Sequence, residues 1–385
     1  MTIAFFSNYL NHHQIPLVEA FNALKGVEYT FVATTGVPEF RKKLGYLEYD
    51  KPYMLDVTKS AENKEKALKL ALEADVAIYL SSGMNEYIIP RLKAKKLTFE
   101  YSERWFKKKW KLNILSPRLW KHQMMYYRYG RKAPLYMLCA SAYAAGDYNS
   151  LFSYINRCYK WAYFTKVPTL SEDEKSFVET SSQDVSTKGK VHILWCARFL
   201  LWKHPELAIQ LAKRLKDDGY SFHVDMIGEG DQLVPTKQLV SQLGVEDCVS
   251  FLGSMPNDQV LERMRQHDIF LFTSDQNEGW GAVANESMSN GCCLVGSDKI
   301  GAVPFLVKDG ENGMIFKSCN LDSLYEKVKY LLDNPKELQR MSRNGIETMQ
   351  NVWSPANAAK NFLQLVDDLQ HGCDTSITDG PYSKA

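Results

Sequence analysis

Short apolar runs rich in strand-forming residues recur along the chain and alternate with amphipathic stretches. The early runs are TIAFFS, YTFVAT, DVAIYL and LTFEYS, and the later ones are VHILWCA, FHVDMIG, SFLG, IFLFTS and CCLVGS. Helical patterns such as HPELAIQLAKRLKDDG and LDSLYEKVKYLLDN lie between them. Continuous apolar strands that alternate with helices are typical of parallel sheets with both faces covered. The pattern therefore predicts an α/β fold.

The length of the chain and one polar segment predict the division into domains. A chain of 385 residues is too long for one ordinary core and indicates about two domains. Residues 169–189 are rich in Ser, Thr and acidic residues and lack strand signals, so we interpret them as a linker. We predict a first domain at 1–168 and a second at 190–350. A C-terminal helix at 351–372 would pack back on the first domain, and 373–385 would be a flexible tail.

Charge, cysteine content and apolar runs restrict the class of protein. The formal net charge of +2 does not indicate a general affinity for nucleic acid. The eight cysteines form no CxxC pair, which is typical of buried free thiols in a reducing cytosol. The N-terminal apolar stretch is too short for a signal peptide, and no run approaches the ~20 apolar residues of a membrane span. We expect a cytoplasmic protein, soluble or peripheral on the inner face of the cell membrane.

Two loops after strands of the second domain are candidate ligand sites, because ligands of open parallel sheets bind at the carboxyl ends of strands. Arg198 and Lys203 follow the run VHILWCA and precede a helix. Cations at a helix start oppose its dipole, which suggests an anionic ligand there. Two solvated surface cations are the alternative. Gly228 follows the run FHVDMI and would let the backbone approach a ligand, although an ordinary turn has the same pattern.

The third loop belongs to the segment NEGWGAVANESMSNG, which follows the run IFLFTSD. Glu278 would lie on the connecting loop and Glu286 about one turn inside the next helix. Glu278 and the N–H groups of Gly279, Trp280 and Gly281 can bind a hydroxylated, anionic ligand, and Glu286 can accept both hydroxyls of a vicinal diol. Two alternatives remain: a glycosidase acid–base pair, or one glutamate in a turn and one on a solvated helix face.

Residues 190–350 resemble the retaining glycosyltransferases of the GT-B fold, specifically glycosyltransferase family 4. The Glu-x7-Glu motif of that family is matched by Glu278 and Glu286, and its Arg…Lys element by Arg198 and Lys203. The resemblance implies two Rossmann-like α/β/α domains that face each other across a deep cleft. It also implies transfer of a sugar from a nucleotide-diphosphate donor with retention of anomeric configuration.

The resemblance assigns a role to each matching residue. Arg198 and Lys203 would hold the donor diphosphate and stabilise the charge that grows on it. Glu286 would bind the ribose hydroxyls, and Glu278 would bind the transferred sugar. Further donor contacts would come from Gly228, Gly253, Ser254, Met255, Gly279, Trp280 and Gly281. No metal cofactor is expected, because the two cations supply the positive charge and no Asp-x-Asp or His cluster suits a metal.

The chain departs from the family pattern at several positions. Ala197 and His204 stand where the family often has glycines. In the first domain, the loop NYLNHHQIP replaces a glycine-rich loop, and ERWFKK offers Glu103 where a histidine is common. We expect His12, His13 and Glu103 to face the acceptor. The alternatives are ordinary loop histidines and a surface salt bridge of Glu103 with a neighbouring basic residue.

Other first-domain segments narrow the expected function. SNYLNHHQIP, YSERWFKK and LCASAYAAGDYNSL resemble bacterial enzymes that build capsule, exopolysaccharide or lipopolysaccharide. The expected activity is a glycosyltransferase with a UDP- or GDP-linked donor and a saccharide acceptor. A nucleotide-sugar epimerase and a non-catalytic sugar-binding protein remain as alternatives.

The segment 104–132 concentrates positive charge and aromatic residues. It contains ten Lys or Arg residues and no Asp or Glu, and Trp, Tyr, Phe and Met residues are interleaved with them. This composition suits an anionic membrane surface and hence a lipid-linked saccharide acceptor. A solvated basic face with core aromatics is the alternative, and no motif supports nucleic-acid binding.

Overall fold

The computed structural model describes residues 1–42, 47–80, 83–107, 114–168 and 189–385. The chain forms two compact units, of which one comprises Met1–Lys166 with Val352–Ala385 and the other Val167–Asn351. The linker predicted at 169–189 lies, except for its last residue, outside the described residues. No helix in the described ranges is both long and apolar enough to span a bilayer.

The first unit is built on a seven-stranded sheet in the order β3-β2-β1-β4-β5-β6-β7, and every neighbouring pair is parallel. The strands are β1 Thr2–Ser7, β2 Glu28–Ala33, β3 Met54–Asp56, β4 Val76–Leu80, β5 Thr98–Ser102, β6 Leu135–Cys139 and β7 Cys158–Lys160. The helices are α1 Ile15–Asn22, α2 Glu39–Lys42, α3 Ala61–Glu73, α4 Asn85–Lys93, α5 Pro117–Met125 and α6 Ala144–Asn149, with a π-helical turn at Tyr126–Gly130.

The second unit has a six-stranded parallel sheet in the order β10-β9-β8-β11-β12-β13. Its strands are β8 Val191–Cys196, β9 Phe222–Ile227, β10 Val249–Gly253, β11 Ile269–Phe272, β12 Cys293–Ser297 and β13 Met314–Phe316. Its helices are α7 Pro205–Asp217, α8 Leu233–Leu243, α9 Asn257–Arg265, α10 Val283–Ser289, α11 Val303–Leu306, α12 Leu321–Asp333 and α13 Pro335–Glu347, with a 3-10 turn at Leu201–Lys203.

Both units have the strand order of a Rossmann fold, in which the order reverses between two neighbouring central strands. The reversal falls between β1 and β4 in the first unit and between β8 and β11 in the second. The prediction of two Rossmann-like α/β domains with parallel sheets is therefore confirmed.

Helix α7 shows how the pattern of apolar residues selects an element and its orientation. Pro205 stands in its first turn, where a missing N–H costs nothing. Leu207, Leu211 and Leu215 recur at every fourth position and are buried in the core of the second unit. This burial holds the preceding loop, which contains Arg198 and Lys203, against the end of β8.

The chain returns to the first unit through helix α14, Pro355–Gln370. Ser354 caps it, since its hydroxyl oxygen accepts a hydrogen bond from the Asn357 N–H at 3.2 Å. The ring of Phe362 lies 5.5 Å from that of Phe21 on α1 and 5.2 Å from that of Phe99 on β5. The last helix is therefore part of the core of the first unit.

The tail at 373–385, expected to be flexible, instead has a fixed place in the first unit. Its backbone pairs with the edge of β7, since Lys160 N–H donates to Ser383 O and Tyr382 N–H donates to Lys160 O, both at 2.8 Å. Tyr382 is fully buried, and its ring lies 5.3 Å from that of Phe362. The polar composition of the tail hid this, because one buried aromatic and backbone pairing are enough to anchor it.

Candidate functional site

Two loops of the second unit lie side by side at the reversal of its strand order. One follows β8 and contains Arg198 and Lys203, and the other follows β11 and contains Glu278. Strands β8 and β11 are hydrogen-bonded neighbours, so their carboxyl ends meet at one edge of the sheet. This is the position at which open α/β sheets bind ligands.

Lys203 and Glu278 form an ion pair between these loops. The Lys203 ammonium group contacts Glu278 Oε2, and the two side chains are only 11% and 12% exposed. The Ser274 hydroxyl donates to the same carboxylate oxygen at 3.1 Å. The Lys203 ammonium also lies 4.3 Å from the centre of the Trp202 ring. The structure therefore brings together the cation and the first glutamate of the predicted site.

Backbone contacts hold the two loops together. The Thr273 hydroxyl donates to the Lys203 carbonyl at 2.7 Å and accepts from the indole N–H of Trp195 at 2.9 Å. The Asp275 N–H donates to the Trp202 carbonyl at 3.0 Å. Because these partners are buried or half-buried, the ion pair has a fixed position at the strand ends.

His204, one of the departures from the family pattern, adopts a backbone conformation that glycine favours. Its φ is +51°, in the left-handed region. Its ring lies 3.5 Å from Asp275 Oδ2 and 2.7 Å from Glu206 Oε1. Hydrogen bonds with Asp275 and then with Glu206 raise the pKa of His204 to about 10. His204 is therefore a third cation at this edge, and its ion pairs accompany a conformation that costs a non-glycine residue about 1 kcal/mol or more.

Glu286 lies inside α10 and is 8% exposed. Burial raises the pKa of its carboxyl group to about 7. Its recorded partner is the Asn257 amide, which donates to Oε1 at a long 3.5 Å. The alternative that placed Glu286 on a solvated helix face is wrong. A buried carboxylate with one weak hydrogen bond has capacity for further donors, such as ligand hydroxyls.

The glycine loop after β9 packs against the loop after β8. Gly228 has a φ of +132°, and a Cβ there would stand 2.0 Å from the carbonyl oxygen of Ala197. Its N–H donates to the Gly253 carbonyl at 2.9 Å, so the loops after β8, β9 and β10 are in contact. Ser254 is exposed and Met255 is half-buried beside them. Glycine is thus required at position 228, because the backbone at Ala197 approaches too closely for a Cβ atom.

The segment from Gly279 to Gly281 contributes backbone N–H groups, rather than side chains, to the site. Trp280 is fully buried, and its indole N–H donates to Asn285 Oδ1 at 2.8 Å. Gly281 has a φ of +89°, and a Cβ there would stand 2.3 Å from the Phe272 ring. Within the described residues, the N–H groups of Gly279 and Gly281 donate to no recorded acceptor. These amides are available to a ligand.

Arg198 differs from Lys203 in its surroundings. Its side chain is exposed and has no recorded hydrogen bond or ion pair in the described ranges. The structure thus places Arg198 on the same loop as Lys203 without joining it to the ion pair. An exposed guanidinium at this edge can bind an anion without first breaking a protein contact.

The predicted residues of the first unit lie close to one another within that unit. The rings of His12 and His13 lie 3.8 Å apart, and Tyr163 stacks on His13 at 6.3 Å. The Tyr163 hydroxyl donates to Glu103 Oε1 at 2.6 Å, and Lys107 donates to Oε2 at 2.5 Å. Burial and then neighbouring His12 lower the pKa of His13 to about 3, so its imidazole is neutral at pH 7. Glu103 therefore has the salt bridge that was the alternative to an acceptor role.

Sequence reasoning missed several polar residues of the second-unit site. These are Asn257, Thr273, Ser274 and Asp275, which contact Glu286, Lys203, Glu278 and His204 respectively. Three of them directly follow the run IFLF, and one follows GSMP. Each of these residues lies at or shortly after the end of a predicted strand, and this position could have identified them from the sequence. Among the described residues, no group of three or more His, Cys, Asp or Glu could hold a metal ion.

A family model described as Glycosyl transferases group 1 matches residues 178–348. The matched range covers the loops after β8, β9, β10 and β11, together with α10. The match covers most of the second unit. The prediction of a transferase enzyme agrees with this match.

Two relatives are named glycosyltransferases. The chain is 28% identical over 192 residues to MMP alpha-(1->4)-mannosyltransferase of Mycolicibacterium hassiacum, which covers 49% of this chain and 42% of the relative. It is 26% identical over 194 residues to a Campylobacter jejuni enzyme named N-acetylgalactosamine-N,N'-diacetylbacillosaminyl-diphospho-undecaprenol 4-alpha-N-acetylgalactosaminyltransferase, covering 50% of this chain and 51% of the relative. The matches thus span about half the length of these relatives.

A solved structure resembles the whole chain. The structure of Anabaena Alr3699/HepE in complex with UDP has a TM-score of 0.67 and 16% sequence identity, and the match covers 96% of this chain and all of that one. At this level of identity the resemblance shows the fold alone. It agrees with the two Rossmann-like units.

The raised pKa of Glu286 makes a prediction about stability. Below about pH 4.5 the carboxyl group is protonated in both the folded and the unfolded chain. As the pH rises towards 7, only the unfolded chain releases the proton, so the folded state loses stability, by about 3 kcal/mol in total. We expect Glu286→Gln to raise the melting temperature clearly at pH 8 and by much less at pH 5, measured by tryptophan fluorescence.

Glu326→Gln is the matched control, because this glutamate is exposed on α12 of the same unit. It should leave the melting temperature nearly unchanged at both values of pH. An equal rise in melting temperature for Glu286→Gln at pH 5 and pH 8 would show that burial does not raise the pKa of Glu286.

Proposed function

We propose that this protein is a retaining glycosyltransferase that moves a sugar from a UDP- or GDP-linked donor to a saccharide acceptor in cell-surface polysaccharide synthesis. The observation that carries the proposal is the buried ion pair of Lys203 and Glu278 at the reversal of the second sheet. The pair joins a cation suited to a diphosphate and a carboxylate suited to sugar hydroxyls. The match to the Glycosyl transferases group 1 model and the relatives support it.

When the donor binds, contacts of Lys203 and Glu278 with the donor would replace their contact with each other. Without a ligand, Lys203 and Glu278 neutralise each other in a site that excludes most water. A diphosphate would accept hydrogen bonds from Lys203 and from exposed Arg198. Glu278 would then accept from hydroxyls of the transferred sugar, with the amides of Gly279 and Gly281 as donors. Each new contact would replace one that the pair gives up, so neither charge would be left buried and alone.

Glu286 is suited to the ribose of the donor. Its buried carboxyl group has one long hydrogen bond, from Asn257 at 3.5 Å. Two ribose hydroxyls would supply the donors that the charged form needs and would lower its pKa. The loops at Gly228 and at Gly253 to Met255 would line the nucleotide. The UDP named in the Anabaena structure supports a uridine donor, and the proposed contacts suit a guanosine donor equally.

The transfer step would use the positive charge of the chain itself. As the bond between the anomeric carbon and the β-phosphate oxygen breaks, negative charge grows on the phosphate, and Lys203 with Arg198 would stabilise it. The acceptor oxygen would form its bond to the anomeric carbon on the same face, and its proton would pass to the departing phosphate. This route gives retention without a covalent intermediate. We propose that no metal is required.

The acceptor is proposed to be a lipid-linked saccharide at the inner face of the cell membrane. In the segment 104–132, Trp120, Met124 and Tyr127 are exposed at spacings of four and three residues along α5 and the turn after it. Arg118 and Lys121 flank them on α5. Exposed aromatic residues between cations suit a surface with anionic lipids. The undecaprenol-linked substrate in the name of the Campylobacter relative supports a lipid-linked acceptor.

Substitution of Glu286 and of Glu278 should have different effects on nucleotide affinity and on turnover. Glu286→Gln should weaken binding of the free nucleoside diphosphate, because a contact between a charged group and its partner is worth about 1.5–3 kcal/mol. Glu278→Gln should leave that affinity nearly unchanged and should reduce turnover, because Glu278 would meet only the sugar. Calorimetry with UDP and GDP, followed by turnover with the matching sugar donors, measures both effects. Equal losses of nucleotide affinity in the two variants would contradict the assignment.

Activity should survive chelation, because Lys203 and Arg198 handle the charge of the diphosphate. We expect unchanged turnover in EDTA and at least a hundredfold lower turnover for Lys203→Ala, as for other donors that stabilise transition-state charge. Lys213→Ala is the matched control, since this half-buried lysine on α7 pairs only with Asp217 among the described residues. An enzyme that EDTA inactivates and magnesium or manganese restores would refute the metal-free proposal.

Binding to vesicles should require anionic lipid and should weaken with salt, because each cation near the surface adds about 1 kcal/mol. The variant Lys107→Ser, Lys108→Ser, Lys109→Ser should sediment less with anionic vesicles; Lys108 and Lys109 lie outside the described residues. A variant with serine at Lys64, Lys66 and Lys69 on α3 removes the same charge and should bind normally. Salt-independent binding, or equal losses in the two variants, would reject the membrane proposal.

A further inference from the structure

Helix α5, Pro117–Met125, carries apolar residues on two opposite sides. Leu119, Met125 and Tyr126 at its end are buried in the first unit. Trp120, Met124 and Tyr127 are 48%, 65% and 43% exposed. The exposed three follow the i, i+4, i+7 spacing of one helix face. Packing of the unit accounts for the first set. In the second set, the Trp120 indole N–H donates to the Ile114 carbonyl at 2.6 Å and the Tyr127 hydroxyl donates to the Leu151 carbonyl at 2.8 Å, while much of each side chain stays exposed.

Two cavities adjoin at α5. One has a volume of about 630 Å³ and a mixed lining, in which Leu80, Met84, Ile88 and Pro117 lie beside Asn8, Glu100, Arg118, Lys121 and His122. We call it the polar cavity, because it has the larger share of polar surface of the two. The other is an apolar groove of about 650 Å³, lined by residues that include Ile89, Trp120, Met124, Tyr127 and Tyr129. Asn85 and Lys121 line both of them. Each volume lies within the range of about 300–1,000 Å³ that is usual for ligand pockets.

Each cavity contains a buried polar group without a recorded partner. Gln123 lines the apolar groove and is 1% exposed, and neither atom of its amide has a hydrogen bond among the described residues. His122 lines the polar cavity; its Nε2 lies 3.2 Å from Glu100 Oε2, while its Nδ1 has no partner in the same part of the chain. Buried polar groups normally have partners. The unpartnered atoms of these two side chains have almost no accessible surface, so a ligand in the cavities would reach them only after a neighbouring side chain moves.

The polar cavity lies at the ligand-binding end of the first sheet. Asn8 directly follows β1, and Leu80 is the last residue of β4, the two strands at which the strand order reverses. Lys121 is exposed at the junction of the two cavities and has no recorded ion pair within the described residues. If one ligand filled both cavities, Lys121 would therefore lie beside the point at which its polar part joins its apolar part.

We propose that this pair of cavities binds one single-chain amphiphile through a phosphate group. The apolar chain would lie in the groove beside Met124 and Trp120, and the phosphate would bind Lys121 at the junction. The polar head would enter the cavity of Glu100 and His122. This inference rests on the proposed function, because it identifies the site for the lipid part of the acceptor. The proposed site differs from a membrane-binding surface, because it would bind a single amphiphile dissolved in water.

The test uses octyl, decyl and dodecyl phosphate below their micelle concentrations, with the full chain, followed by Trp fluorescence and calorimetry. Affinity should rise about fourfold for each methylene that enters the groove. Inorganic phosphate should bind far more weakly than dodecyl phosphate. Equal affinity across the series, or inorganic phosphate as tight as dodecyl phosphate, would overturn the proposal.

Variants separate the two parts of the site. Met124→Glu should reduce the affinity for dodecyl phosphate at least tenfold, because it places a carboxylate in the groove. Val234→Glu on α8 of the second unit is the control, since Val234 is 64% exposed, as Met124 is 65%. Lys121→Gln should weaken dodecyl phosphate and leave dodecyl glucoside unchanged. Equal effects of the two glutamate variants, or equal losses of both ligands in Lys121→Gln, would refute the assigned positions.

Nucleotide binding distinguishes this inference from the proposed function. Met124→Glu and Lys121→Gln should bind UDP or GDP as the unmodified chain does. Nucleotide binding without any binding of alkyl phosphates would overturn the amphiphile site and leave the transferase proposal intact. Tight, chain-length-dependent binding of alkyl phosphates supports the site even when no nucleotide binds, and in that case the transferase proposal fails alone.

Discussion

The ion pair of Lys203 and Glu278 fixes how the loops after β8 and β11 meet in the second unit. Each charge loses most of its water at the strand ends, which would cost several kcal/mol without a partner of opposite sign. The pair forms only because β8 and β11 are neighbours and Thr273 fixes the Lys203 backbone. The sheet order, the buried face of α7 and the loop contacts all serve to hold these two charges together. A ligand with both phosphate and hydroxyl groups can replace the pair group for group.

The first unit has a comparable edge with different chemistry. Its strand order also reverses between central neighbours, and the loop after β1 carries His12 and His13. Here Glu103 is held by Tyr163 and Lys107. A second ion pair joins Arg104, after β5, to Asp147, after β6, at 3.5 Å with side chains 12% and 9% exposed. Both units therefore hold a nearly buried ion pair between segments that follow neighbouring strands, and the first unit also has two cavities along α5.

The sequence predicted what periodicity and local order determine. The apolar runs located nine strands, and position after a strand located Arg198, Lys203 and Glu278. Short strands such as β3, Met54–Asp56, and β13, Met314–Phe316, have too few residues to show a pattern.

What the sequence could not show depends on distant residues. The burial of Glu286, the ion pairs of His204 with Asp275 and Glu206, and the anchoring of Tyr382 all require contacts that no local pattern records. The segment 104–132 shows the same limit, because Phe106 and Tyr126 are core residues while Trp120 is exposed. Composition alone does not separate them.

The return of the chain to the first unit has a consequence for its synthesis. Phe362 and Tyr382 complete the core around α1 and the edge of β7, yet the whole segment Val167–Asn351 is translated before them. At ~5–20 residues per second, the first unit waits on the order of ten seconds or more with apolar surface uncovered. The second unit has no such delay and can fold while it emerges from the ribosome. The second unit can therefore be complete before the first, and the first unit is most exposed in the interval before α14 appears.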